Sequence, residues 1–356
     1  MDPSAMLVKP YAPVPGSAIG LVTPSSSVSR YPRRTARALR ALSGLGLRPV
    51  PAPHAWWDDG DRPAAEALAE DIAWCCRNEE ISAILCTTGG LRSAELIPHL
   101  DFELLRDSRK PLCGFSDITS LLLAVHVRTG MVTFHGPTAV PSMGDADGID
   151  PYTATSLLAA WRPGGPRELR APAATSAESP IWEIEDHRPR SRTAAGPWRA
   201  LTPGTARGRL LGGHLGTVVG LLGTPYRPRT DGCLVFLETN ESEVAAIRRE
   251  LGTLAEAGLF DTATGLLFGR TPYVDRPGEL DRCLRDLAAE YGLPALIDVD
   301  FGHTVPIMTL PIGVTATLDT GRAMLRLDEP AVLARNPQEL TSSATRSSGT
   351  PPRRTL

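Results

Sequence analysis

Lys110-Pro111-Leu112-Cys113-Gly114-Phe115-Ser116-Asp117-Ile118-Thr119 is the stretch on which the reading of this chain turns. A short apolar run stops at Gly114, two residues before a serine, and an apolar segment over 118–127 follows at once. Strand, sharp turn and helix in that order place Ser116 at the bend. Such a bend lifts a hydroxyl clear of the backbone and turns the first helical N–H groups towards whatever approaches it. The same residues also read as an ordinary helix N-cap, and Ile118 stands where an elbow usually has its second glycine. The stretch alone leaves both readings open.

Working outward, short apolar runs alternate with helical patterns. A strand over 18–22 ends in Thr23-Pro24-Ser25-Ser26-Ser27, and one over 83–86 ends in Thr87-Thr88-Gly89-Gly90. Further strands are expected at 48–51 and 132–135, with helices over 31–44, 62–78 and 93–100. Short, wholly apolar strands between helices argue for a parallel sheet covered on both faces. Ligands of such sheets gather at the carboxyl ends of the strands, which is where these small polar loops fall. The second half reads as strands over 233–238, 265–269, 295–299 and 312–318, a last one near 323–327, and helices over 243–256 and 279–290. The expected fold class is therefore α/β: a Rossmann- or flavodoxin-like N-terminal domain (17–165) and a smaller mixed C-terminal domain (207–335). Residues 1–16 are Pro-rich and read as loose. Residues 166–206 form a long connection whose Trp182 and Trp198 argue against plain disorder. The Ser/Thr/Pro/Arg-rich 336–356 reads as a disordered tail.

Bulk properties narrow the function. A length of 356 residues supports two cores, and 42% hydrophobic with 22% charged residues is ordinary for a globular protein. A net charge of −3, with arginines interspersed among acids, gives no basic face for a nucleic acid polymer. The six cysteines show no paired or Cys/His spacing, so neither a metal site nor a disulfide framework is expected. Free thiols in apolar segments, prolines where a signal peptide needs an apolar run, and no stretch approaching a membrane span point to a cytoplasmic protein.

A serine needs a base to activate it, and that base needs an acceptor to hold its tautomer. Glu238 ends the run Cys233-Leu234-Val235-Phe236-Leu237, where a carboxylate is costly without a partner. His303 lies in Phe301-Gly302-His303-Thr304-Val305-Pro306, a turn between strands. There are seven histidines; His126 reads as a packing residue, and His135, at a strand end, competes with His303. Gly89-Gly90 offers backbone N–H groups to an anion or merely makes a turn. Gly208-x-x-x-Gly212-Gly213 lacks the lysine of a phosphate loop and the spacing of a dinucleotide fingerprint, so no cofactor is expected.

Taken together, these segments resemble the LD-carboxypeptidase family of serine peptidases over most of 17–330. The resemblance rests on Thr87-Thr88-Gly89-Gly90, Leu96-Ile97-Pro98-His99-Leu100-Asp101, Gly114-Phe115-Ser116-Asp117-Ile118-Thr119 and Thr133-Phe134-His135-Gly136-Pro137. It continues with Gly212-Gly213-His214-Leu215, Gly223-Thr224-Pro225-Tyr226, Leu237-Glu238, Gly302-His303-Thr304 and Thr309-Leu310-Pro311-Ile312-Gly313. It implies Ser116 as nucleophile, His303 as general base and acid, and Glu238 orienting His303. It also implies oxyanion donors on the backbone of Asp117 and Gly90, an active site between the domains, and a homodimer. The family has a branch that trims murein tetrapeptides and a branch similar to the microcin C immunity peptidase, which cleaves an aminoacyl–nucleotide-type toxin. Ser179-Pro180-Ile181-Trp182 and Gly196-Pro197-Trp198 resemble the extended loop of the second branch. That makes Trp182 the candidate to stack on a nucleobase, the alternative being that it packs the loop onto its own domain. His214 stands where the family usually has asparagine, which puts that substrate contact in question. A protein that merely sequesters a toxin or peptide is the non-catalytic alternative.

Overall fold

The computed structural model describes residues 7–14 and 16–335. In the first sheet β1 (Ala18–Val22), β2 (Arg48–Pro51), β3 (Ile81–Cys86), β4 (Leu112–Gly114) and β5 (Thr133–His135) are parallel neighbours in the order 2-1-3-4-5. Every residue of β1, β3, β4 and β5 is buried, as two helix-covered faces require. The helix Pro32–Gly44 starts on a proline and buries Arg34, Ala38 and Leu42, one face at helical spacing. Strand order reverses between β1 and β3, so the loops after them diverge and open a crevice at the carboxyl edge. The fold is the flavodoxin-like arrangement that the strand pattern implies.

The remaining strands are β6 (Arg167–Leu169), β7 (Ala174–Thr175), β8 (Thr193–Ala194), β9 (Arg199–Thr202), β10 (Thr205–His214), β11 (Cys233–Glu238), β12 (Gly265–Gly269), β13 (Ala295–Val299), β14 (Leu310–Ile312), β15 (Thr315–Asp319) and β16 (Met324–Leu327). The second sheet runs 6-16-15-10-11-12-13-9. Its centre, β10 to β13, is parallel, and its flanks are antiparallel, which makes the mixed second domain.

Three expectations change. The segment 312–318 is two strands, because Gly313 takes a φ of +93° and turns the chain. β14 then joins the edge of the first sheet beside β5 while β15 pairs with β10, so one short segment joins both sheets. Residues 7–14, read as loose, run along the first domain and meet the end of the second: Val8 N–H donates to Gly130 at 2.9 Å, Tyr11 N–H to Arg109 at 2.8 Å and Ala12 N–H to Leu333 at 2.8 Å. The connection 166–206 carries the β7–β8 hairpin, the short helix Trp182–Glu185, and β9 at the edge of the second sheet. Trp198 is buried there and donates its indole N–H to Asp300 at 2.8 Å. The expected tail, 336–356, and residues 1–6 lie outside the described residues.

Candidate active site

β4 delivers the chain to Phe115 in extended backbone; Ser116 then takes a φ of +62° and opens a 3-10 turn that runs into the helix Thr119–Thr129. A non-glycine residue in that region costs roughly 1–3 kcal/mol and persists only where the surroundings impose it. The Asp117 carboxylate supplies part of that constraint. It accepts from the Ser25 hydroxyl at 2.6 Å and from the Ser93 N–H at 2.8 Å, so the loops after β1 and β3 both hold the bend. Ile118 supplies another part. A Cβ on Gly114 would lie 2.7 Å from the Ile118 side chain, so one glycine under one isoleucine closes the turn and no second glycine is needed.

The three candidate side chains meet. Ser116 Oγ lies 3.0 Å from His303 Nε2, and His303 Nδ1 lies 2.6 Å from Glu238 Oε2. In the tautomer this chain permits, Nδ1–H donates to the carboxylate and Nε2 accepts from the serine hydroxyl. Glu238 is fully buried, whereas Ser116 and His303 are half-buried at the cleft. Burial alone would raise the Glu238 carboxyl; the electrostatic pull and the hydrogen bond of the His303 imidazole outweigh it and hold it below its ordinary value. Glu238 is thus an anion beside an imidazole at neutral pH.

A cleft of about 690 Å³ opens over Ser116 and His303. Gly90 and Ser26 line one side and Trp182 another, and Ser26 N–H donates to Gly89 at 3.2 Å, tying the two loops together. An adjoining cavity of about 330 Å³ shares Trp182 and His303. Trp182 carries the Arg34 guanidinium 4.4 Å over its ring and the edge of Tyr31 at 4.9 Å, so it both packs against the first domain and lines the cleft. The segment around it is held by charges. Arg34, 1% exposed, pairs with Asp145 and with Asp186 (2.8 Å), and Arg190 pairs with Asp145 at 2.8 Å. Arg34 hides in the Arg-rich 32–40 stretch, and its only sequence signal is that it shares a helical face with Ala38 and Leu42.

His214 ends β10 opposite Glu238, with its ring centroid 5.5 Å from that of His303. Its Nδ1 accepts from the Thr217 hydroxyl at 2.9 Å, so its Nε2–H donates to Asn240 Oδ1 at 3.0 Å. His135 does not compete for the serine: it is fully buried, and its Nε2–H donates to the Phe301 carbonyl at 2.8 Å. His126 packs in the core and bonds Met131 at 2.9 Å. Among the described residues no group of three or more His, Cys, Asp or Glu side chains is placed to hold a metal ion, and no helix is long and apolar enough to cross a membrane.

Comparison with known proteins gives a consistent result. Residues 19–136 match the model of the LD-carboxypeptidase N-terminal domain, and residues 207–318 that of the C-terminal domain. A Bacillus subtilis protein named "Probable murein peptide carboxypeptidase" is 31% identical over 322 residues, covering 88% of this chain and 92% of its own. The microcin C7 self-immunity protein MccF of Escherichia coli is 29% identical over 259 residues, covering 71% and 75%. The solved structure of MccF in complex with glutamyl sulfamoyl guanosine matches with a TM-score of 0.85 at 25% identity, covering 92% of this chain and 100% of that one.

Proposed function

The chain belongs to the LD-carboxypeptidase family of serine hydrolases, and from that premise we propose that it is an amidase of the microcin-immunity type, cleaving the amide bond of an aminoacyl- or peptidyl-nucleotide-type substrate. The observation that carries the chemistry is the hydrogen-bonded chain Ser116–His303–Glu238 at the floor of the cleft. His303 Nε2 takes the serine proton as Oγ attacks the carbonyl carbon, and Glu238 stabilises the imidazolium that forms. The backbone N–H groups of Asp117 and Gly90 receive the oxyanion, usually a large part of the rate enhancement. His303 then gives its proton to the departing amine, and a water, activated by the same imidazole, releases the acyl group.

The branch reading rests on Trp182, which stands in the cleft wall beside Ser116 and His303 and would stack on a nucleobase. His214, beside His303, is the substrate contact proposed in place of the family's asparagine. We take 17–165 and 207–335 as the two domains, 166–206 as the substrate loop, the assembly as a homodimer and the cytoplasm as its compartment. The second reading, a murein tetrapeptide LD-carboxypeptidase, uses the same three residues and is favoured by the Arg34 guanidinium over Trp182, which already occupies one face of the ring.

One assay separates these readings. Wild type and Ser116→Ala are incubated with an aminoacyl-sulfamoyl adenosine and with a murein tetrapeptide, and products are followed. Cleavage of the adenosine compound by wild type only is expected. Turnover of the tetrapeptide alone would sink the immunity reading, tight binding without turnover would favour a sequestering protein, and an active Ser116→Ala would remove the nucleophile assignment.

A further inference from the structure

His135 is fully buried at the end of β5, yet it touches every element that carries a reacting group. Its ring meets three phenylalanines edge-on: Phe115 at 6.2 Å, Phe236 at 5.4 Å and Phe301 at 6.1 Å. Phe115 precedes Ser116, Phe236 lies two residues before Glu238, and Phe301 two residues before His303. The serine comes from the first sheet and the other two from the second, so a single side chain braces all three across the domain boundary.

Packing alone would not call for a histidine there. The polar part is the Nε2–H, which donates to the Phe301 carbonyl at 2.8 Å. That carbonyl opens the turn Phe301-Gly302-His303 and is buried with its residue, so without the imidazole it would have to find another donor or shift. Nδ1 has no partner and is shielded from solvent, so the ring is the Nε2–H tautomer and neutral, a state that burial also favours. The His303 ring in turn lies 5.0 Å from Phe115, against which a displaced turn would be read at once.

We propose that His135 is a positioning residue: its hydrogen bond to Phe301 holds the His303 turn at hydrogen-bonding distance from both Ser116 and Glu238. The inference rests on the Ser116–His303–Glu238 reading given above. A misplacement of the base by about 1 Å is enough to cost on the order of 100-fold in rate.

Two variants separate the hydrogen bond from the packing. His135→Phe keeps a ring against the three phenylalanines and loses the N–H; His135→Gln loses the ring and keeps an N–H near the same place. The readout is the rate at which a fluorophosphonate labels Ser116, which needs no knowledge of the substrate, together with the downfield proton resonance of the His303 Nδ1–H. Expected are labelling reduced about 100-fold in a folded His135→Phe, with that resonance weakened or shifted, and substantial recovery in His135→Gln. A folded His135→Phe that labels as fast as wild type, or faster than His135→Gln, overturns the proposal. If His135→Phe does not fold, a folded His135→Gln that loses labelling about 100-fold overturns it equally. A wild type that is not labelled at Ser116 would instead remove the reading on which the inference rests.

Discussion

Glu238 ends the buried strand β11, and Ser116 and His303 sit in tight turns just beyond β4 and β13, whereas Trp182 stands on a four-residue helix in a segment held by ion pairs. On the floor of the cleft, each buried Leu, Ile or Phe contributes roughly 1.5–3 kcal/mol irrespective of salt. In the wall, Arg34, Arg37 and Arg190 converge on Asp145 and Asp186, so charge pairing holds the segment. On the function proposed above, two demands fall on two kinds of structure: proton transfer, which tolerates little displacement, on packed strands and the turns after them, and recognition on a polar segment anchored by ion pairs.

The largest test of the floor is Glu238→Gln. Glutamine keeps the shape but not the charge that holds the His303 tautomer, and kcat is expected to fall about 10⁴-fold. A loss below tenfold in steady-state turnover would mean that Glu238 only packs.

The wall is tested next. Arg34→Met leaves Asp145 and Asp186 short of a buried partner, and urea unfolding should report about 3–5 kcal/mol lost. Limited proteolysis should then cut within 174–194 before the sheets, and more readily at high salt, which screens the remaining pairs. Equal protection of this segment and the sheets would erase the contrast between wall and floor.

A pH series probes the floor from below. The His126 imidazole, on the same helix system as Ser116, is pulled down to about 4 by burial, against an ordinary value of 6.5. Between these values the unfolded chain binds the proton that the folded chain refuses. Stability is therefore complete above pH 6.5 and is lost as pH falls towards 4, about 3 kcal/mol in full. Urea midpoints at pH 7.5 and 4.5 should show this loss, and His126→Gln should flatten it.

The smallest expected effect is Trp182→Ala. Calorimetry should find binding of an adenine-bearing ligand weakened by about 1–3 kcal/mol, with fluorophosphonate labelling of Ser116 unchanged. Undiminished adenine affinity would leave Trp182 as packing for Arg34 and Tyr31.

Much of the floor is legible locally. β1, β11 and β12 fall where continuous apolar runs of about five residues place them, because full burial leaves no polar alternation to misread. The segment 312–318 misleads for the same reason: an apolar run does not say which sheet its residues join, and Gly313 reads as one more strand residue until its φ is seen. Arg34 passes unnoticed and His135 reads as a competitor of His303, because ordinary arginines are solvated and a strand-end histidine is ordinarily within reach of a cleft. Their burial depends on partners more than 100 residues away in sequence.

By itself the sequence determined which short segments are buried strands, that small polar loops follow them, and that a serine stands at one strand end and a glutamate at another. Only the tertiary structure decided that Ser116 and His303, 187 residues apart, lie 3.0 Å from one another. The bend at Ser116 is a matter of neighbouring residues, and local sterics suffice to suggest it. The meeting of Ser116, His303 and Glu238 is a matter of how two sheets are joined through β14 and β15, and no periodicity along the chain encodes that contact.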